Sequence, residues 1–396
     1  MRRAFFLGLP LLLACSDDGP KIYGPVYDAA VKDVASDAPA VDGGADATSD
    51  ASVDAQGDAS SCTSTTVLLA GNGSTLVGAS AKGTAAFASA ALTGSVTDRV
   101  SVVPFGVGFL GVVRAADDTI ASSFFGGASW SAAAAVGSVA TRDAPVLAVT
   151  GTTAHLAYQQ KVDFKFYHGQ YTGSAWDAAT DPVGVGVAQS FGPRGPGFAA
   201  VGTTPVVLQA GDDGFLYDRA YTGTWSAAHQ QAATSVEKTL PPTLVALTGG
   251  TADLLGVYMR LTDFKIMSVT RTSGTWAAPV LLDVNAYANE PVNLAPLSGG
   301  RALLAYRGSD NKGYFSVYDP TKTPVWTAPA AIGGSAPLVE SAPAIAPGVC
   351  GDDAVVAYAA TGGAVNVTRF AGGTFGAAVA VTGTNGAKYV GIATRP

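Results

Sequence analysis

The side chains that could do chemistry recur along the chain. Asp118, Asp163, Asp213, Asp263 and Asp310 return at similar intervals, and Glu237, Glu290 and Glu340 are the only glutamates among 396 residues. A carboxylate so placed accepts hydrogen bonds from sugar hydroxyls, acts as a general acid or base, or closes a hairpin turn. The five tryptophans, Trp130, Trp176, Trp225, Trp276 and Trp326, recur as well. An indole face stacks on a sugar or packs in a core. A catalytic Glu should be a unique residue, whereas every Glu here belongs to a repeated set. His155, His168 and His229 share no repeat position and no H-x-x-x-H spacing, so they read as surface or incidental residues. G-x-S-x-G, a P-loop and zinc-spaced cysteine pairs are all missing, so neither a cofactor nor a metal is expected. Arg194, in the irregular stretch Ser190-Phe-Gly-Pro-Arg-Gly-Pro-Gly197, is the most individual basic residue.

The elements that hold these residues follow from a repeat. Gly127-Ala-Ser-Trp130, Gly173-Ser-Ala-Trp176, Gly223-Thr-Trp225, Gly274-Thr-Trp276, Pro324-Val-Trp326 and Gly373-Thr-Phe375 share one frame, with a weaker first copy ending at Phe87. Within one period, residues 240–287, four apolar runs are separated by turn residues: Pro241–Leu247, Leu254–Met259, Phe264–Thr270 and Trp276–Leu282. Four short antiparallel strands per period of about 40–50 residues describe a β-propeller blade. Seven copies predict seven blades. The recurrent Asp residues then fall between strands two and three of five blades. The glutamates fall just before strand one of blades five, six and seven. Both sets emerge on one face, which is acidic at its rim. Arg260 with Asp263, and Arg307 with Asp310, are expected as local pairs. The tryptophans, at the start of the outer strands, are placed to pack between blades.

The ends complement each other. The first copy starts at Thr65-Thr-Val-Leu-Leu69, which matches a second strand, and Lys388-Tyr-Val-Gly-Ile-Ala-Thr394 matches the missing innermost one. The C-terminal strand is therefore expected to complete blade one and remove an exposed sheet edge. Cys62 and Cys350 fall on connections of neighbouring blades on one side, so a disulfide between them would lock the closure. For so long a loop the entropic stabilisation is about 5 kcal/mol.

Charged residues are only 13% of the chain, about half the usual share of a soluble domain. A net charge of −7 without a basic patch argues against nucleic acid as a partner. Nearly all the acidity sits in residues 16–61, with ten Asp, two Lys and no Glu, Trp or Phe. That composition cannot offset its ordering entropy and reads as a disordered tether. Its Asp spacing lacks the pattern of a calcium loop. As a coil it would span roughly 35–40 Å. Before it, Met1-Arg-Arg3 and the apolar run Ala4–Ala14 are too short to cross a bilayer and fit an export signal. The run ends Leu12-Leu13-Ala14-Cys15, which resembles a bacterial lipobox. The resemblance implies cleavage before Cys15, its acylation and, with Ser16 following, retention at the outer membrane.

The repeated Gly-Thr-Trp end resembles two propeller families. Sialidases carry an Asp-box, S-x-D-x-G-x-T-W; Ser123-Phe-Phe-Gly-Gly-Ala-Ser-Trp130 has its frame but lacks the Asp. Fucose-binding lectin-type propellers have blades of similar length with a Trp in each. The chain thus reads as all-β. A lipoprotein signal peptide covers 1–14, lipidated Cys15 and a disordered linker cover 15–61, and a seven-bladed propeller of four-stranded antiparallel blades covers 62–396. The expected location is the bacterial cell envelope, periplasmic or surface-exposed, with a lipid anchor in the outer membrane. The expected function is non-catalytic recognition of a glycan or surface partner through the acidic face. Its candidate ligand residues are Glu237, Glu290, Glu340, Asp213, Asp263, Asp310, Trp225, Trp276 and Trp326. A sialidase-like glycoside hydrolase and a structural scaffold are the alternatives.

Overall fold

The computed structural model describes residues 63–177, 181–182, 195–231, 235–283, 285–288 and 290–396. The signal peptide, Cys15, the acidic linker, Cys62 and Arg194 lie outside the described residues.

Runs of alternating or continuous apolar residues, punctuated by Gly and Asp turns, form seven antiparallel sheets arranged as propeller blades. Blade two shows the plan: Ser101–Phe105 innermost, then Gly108–Arg114, Thr119–Phe125 and Ala134–Ala140 outermost. The second strands are the most deeply buried; Leu254–Met259 and Ala354–Ala359 are buried at every position. They face a neighbouring blade on each side, which is why they read as unbroken apolar runs rather than as alternation. Seven apolar clusters hold the interior, most of them shared between adjacent blades. No α-helix occurs among the described residues.

Blade one takes Thr65–Asn72 as its second strand, and Tyr389–Arg395 pairs with it from Gly71↔Tyr389 to Thr65↔Arg395. The C-terminus therefore supplies the innermost strand of blade one, as its sequence implied. Ile392 and Val390 enter the core shared with blade seven, while Ala393 faces blade two. Polar ties cross the same junction: Ser89 Oγ donates to the Thr382 carbonyl at 2.7 Å, and Ser341 Oγ to that of Lys388 at 2.7 Å. Cys350, on the strand one–two connection of blade seven, is disulfide-bonded; the pairing with Cys62 falls on a residue outside those described.

The outer strands are shorter than the sequence suggests. In blade five, Thr275–Trp276 and Val280–Leu281 pair separately with Ile266–Thr272. Pro279 lies between them and has no N–H to give the ladder. The first piece makes a tight hairpin that lays the repeat aromatic beside an aromatic of the third strand. The pairs are Phe125–Trp130, Tyr171–Trp176, Tyr221–Trp225, Tyr318–Trp326 and Phe370–Phe375, with ring centroids 5.6, 5.1, 5.3, 5.3 and 5.0 Å apart.

The innermost strands surround a channel with a cavity of about 550 Å³, lined by apolar residues such as Val103, Leu147, Leu244 and Ile345. Its described lining contains no carboxylate.

Candidate functional site

The recurrent aspartates are first of all turn residues. Asp310 Oδ1 accepts the Lys312 amide at 3.1 Å, and its Oδ2 accepts the Tyr314 hydroxyl at 2.8 Å. Asp163 does the same with Lys165 and Tyr167, at 3.1 and 2.8 Å. Asp213 repeats it with Phe215 and Tyr217, at 3.2 and 2.5 Å. The Asp thus caps its hairpin and pins a Tyr four residues on. In blades four and six a glycine two residues earlier makes room: a Cβ at Gly308 would lie 2.8 Å from the Tyr314 ring, and one at Gly211 would lie 2.7 Å from that of Tyr217. In blade five Met267 stands where the Tyr would be. Asp263 is instead held by Arg260, at 2.9 and 2.6 Å, and that bond keeps its carboxyl below the usual range. The expected Arg307–Asp310 pair does not form. Arg307 reaches Glu290 instead, because Tyr314 and Lys312 already occupy Asp310.

The glutamates do lie on the same face, beside these turns. The Glu237 and Glu340 amides donate to the carbonyls of Met259 and Ala359, at 2.8 and 2.9 Å. Their side chains, however, serve the fold. Glu237 is 5% exposed and accepts the Thr239 amide and hydroxyl. Glu290 joins Arg307 to the Ala342 amide of the next blade, at 3.0 Å. Glu340 accepts the Gly362 amide at 3.2 Å. The three do not converge on a shared pocket.

The tryptophans bind blade to blade. Trp326, 2% exposed, donates to Ser268 Oγ of blade five at 2.9 Å, and Trp176 to Ser122 Oγ of blade two at 3.1 Å. Trp225 sits edge-on to His168 of blade three at 5.3 Å, and Trp276 packs on the cluster shared by blades four and five. Trp326 therefore presents no face to a ligand. Between blades two and three, Trp176 and Tyr171 with Ser122, Ser123 and Ser131 line a cavity of about 390 Å³.

Of the predicted residues, Asp310 lines a true pocket. At the seam of blades five and six on the acidic face, a cavity of about 460 Å³ is walled by Tyr287, Tyr306 and Tyr314 and carries Asp283, Asn285, Ser309 and Asp310. Tyr306 and Tyr314 are stacked, with centroids 5.7 Å apart and an interplanar angle of 27°. Burial and the Asp310 bond push the Tyr314 hydroxyl up to about 12. Burial pushes Tyr306 up as well, with smaller contributions from Tyr314, Asp283 and Asp310. Burial would raise Asp310, but the donations from Tyr314 and Lys312 outweigh it and lower the carboxyl. Asp283, Asn285 and Tyr287 lie in the connection to blade six; its backbone has counterparts, since Tyr287 bridges Lys265 as Leu338 bridges Lys312, but its residue types do not repeat, so periodicity could not single them out.

His155 and His168 correct the sequence reading. They are 4% and 1% exposed, stacked, and joined Nδ1 to Nε2 at 2.9 Å. Thr150 Oγ1 meets the other His155 nitrogen at 2.8 Å, and Gln170 reaches the Tyr221 hydroxyl of blade four at 3.1 Å. Only His229 is at the surface, beside Asp218 at 3.2 Å. The pair was hidden because its two members face each other only across neighbouring strands. Among the described residues, no group of three or more His, Cys, Asp or Glu could hold a metal ion.

These features define a seven-bladed β-propeller with polar, aromatic-walled pockets at its blade seams. No family model and no curated protein matches the chain. Among solved structures it is similar to AofleA from Arthrobotrys oligospora, with 14% identity over 75% of this chain and 89% of that one and a TM-score of 0.53. It is also similar to the SapL1 lectin solved with α-methyl fucoside, with 11% identity over 74% and 97% and a TM-score of 0.50. The fucose-specific lectin from Aleuria aurantia overlays more loosely, with 17% identity over 72% and 96% and a TM-score of 0.47. At these identities the likeness establishes the fold alone.

Proposed function

We propose that this protein is a non-catalytic carbohydrate-recognition module of the bacterial envelope, carried on a lipidated Cys15 and an acidic tether, with its ligand in the blade five–six pocket. One observation carries the reading: three tyrosines and two aspartates surround one cavity on the acidic face. Aromatic faces pack on the C–H surface of a sugar while carboxylate and amide oxygens accept from its hydroxyls. The volume lies within the range of about 300–1,000 Å³ typical of small-ligand pockets. The lectin folds it resembles lend support. The sialidase-like reading expects its paired carboxyls in the central channel, whose described lining carries none.

The test is a glycan array of the full-length protein, run beside a fluorogenic glycosidase panel. Binding without turnover, weakened at least tenfold by Tyr287→Ala and by Asp310→Asn, is the expected result. Turnover, or binding indifferent to both substitutions, contradicts the proposal.

A further inference from the structure

Five acids of this face carry a cation. Asp118 is paired with Arg114 and Lys161. Asp163 has Lys165 at 3.8 Å, Asp263 has Arg260 at 2.6 Å, Asp310 has Lys312 at 3.5 Å, and Glu290 has Arg307. Asp213, Glu237 and Glu340 have no cation among the described residues, but their oxygens serve turn donors and none of them lines the blade five–six cavity. Asp283 differs. One of its oxygens accepts the Asn285 amide at 2.7 Å, no cation pairs with it among the described residues, and it faces the cavity.

A second group in the same cavity is also unmet. Tyr306 is 2% exposed, and its hydroxyl has no hydrogen-bond partner among the described residues although its ring stacks on Tyr314. The hydroxyl opens on the cavity, so a ligand oxygen that replaces water there would gain a hydrogen bond that the protein does not supply. Of the two carboxylates at the cavity, Asp310 has Lys312 at 3.5 Å, and Asp283 has no ion-pair partner within 4 Å among the described residues. One wall already meets an ammonium: Lys265, which pairs with Asp263 at 3.8 Å, lies 5.8 Å from the Tyr287 ring centroid. Tyrosine faces attract cations through the ring quadrupole, most strongly where water is excluded.

We propose that the blade five–six pocket selects a sugar carrying a free ammonium group, with the ammonium against Asp283 and the tyrosine faces and a ring hydroxyl on Tyr306. The proposal rests on the carbohydrate reading and narrows its ligand class. Neutral sugars would satisfy Tyr306 and leave Asp283 without its counter-charge.

The experiment is isothermal titration of the full-length protein, near pH 6, with methyl glycosides of glucosamine and galactosamine and with their N-acetylated counterparts. Monovalent ligands keep the acidic linker from capturing a polycation. The expected result is that one amine form binds at least tenfold tighter than its N-acetyl partner, and that Asp283→Asn, which retains the turn, erases the preference. Equal or better binding of an N-acetyl form, itself lost in Tyr287→Ala, overturns ammonium selection and leaves the carbohydrate reading standing. Failure of all four ligands, together with a silent array, overturns both. Amine binding undiminished by Asp283→Asn overturns the assignment of the site. Tetramethylammonium binding as tightly as the amino sugars overturns the sugar half of the proposal.

Discussion

At the scale of single residues, the buried histidine pair makes a prediction of its own. Burial, and then the neighbouring His155, lowers His168 to about 4, against about 6.5 for an unfolded histidine. Between those values the unfolded chain binds a proton that the folded chain refuses. Stability is therefore complete above about pH 6.5 and falls as the pH drops toward 4. The loss from this one group is on the order of 3 kcal/mol. Urea unfolding at pH 7.5 and at pH 5.0 should show most of it, and His168→Asn should flatten the dependence. A wild-type protein equally stable at both values would show that the imidazoles are not held neutral. Asp310 exemplifies the double duty of residues at this scale: it closes a hairpin, pins Tyr314 and still lines the pocket.

At the scale of elements, the outer hairpin with its repeat aromatic is the device that joins one blade to the next. Trp326 packs in the core shared by blades five and six and spends its indole N–H on Ser268. Trp326→Ala should cost about 3–5 kcal/mol, as large aromatic truncations do in cores, measured by denaturant unfolding. A cost below about 1 kcal/mol would mean that the blades are held otherwise. A second close fit marks the blade one–two seam. A Cβ at Gly78 would fall 2.2 Å from Trp130 Cδ1, so that glycine exists to let the indole lie flat on the preceding blade.

At the scale of the whole molecule, the ring depends on its last strand. Removing residues 389–396 would leave Thr65–Asn72 as an exposed edge and uncover the partners of Val390, Ile392 and Ala393. An open edge of that length invites intermolecular pairing. The truncated chain is expected to aggregate or lose its cooperative melt by light scattering and calorimetry; an equally stable monomer would show that closure is dispensable. The proposed Cys62–Cys350 bridge belongs to the same junction. Non-reducing mass spectrometry should find both cysteines oxidised to each other, and a free Cys62 thiol would remove the bridge from the account.

The seven-blade count, the strand order within a blade, the closing strand and the shared face of the recurrent acids were all legible in the sequence. Each is written as a period, and a period survives without knowledge of contacts. The roles of particular members of the repeat were not legible. Glu290 became a tie between blades because Arg307 and the Ala342 amide converge on it. Asp310 gained a pocket because the connection through Asp283 and Tyr287 folds back beside Tyr306. His155 and His168, thirteen residues apart, meet because adjacent strands place them side by side at a blade seam. The sequence alone determined the repeated backbone frame, since hydrophobic alternation and turn chemistry act locally. The tertiary structure decided which polar groups are satisfied and which face a cavity, because that depends on how neighbouring blades and their connections approach one another.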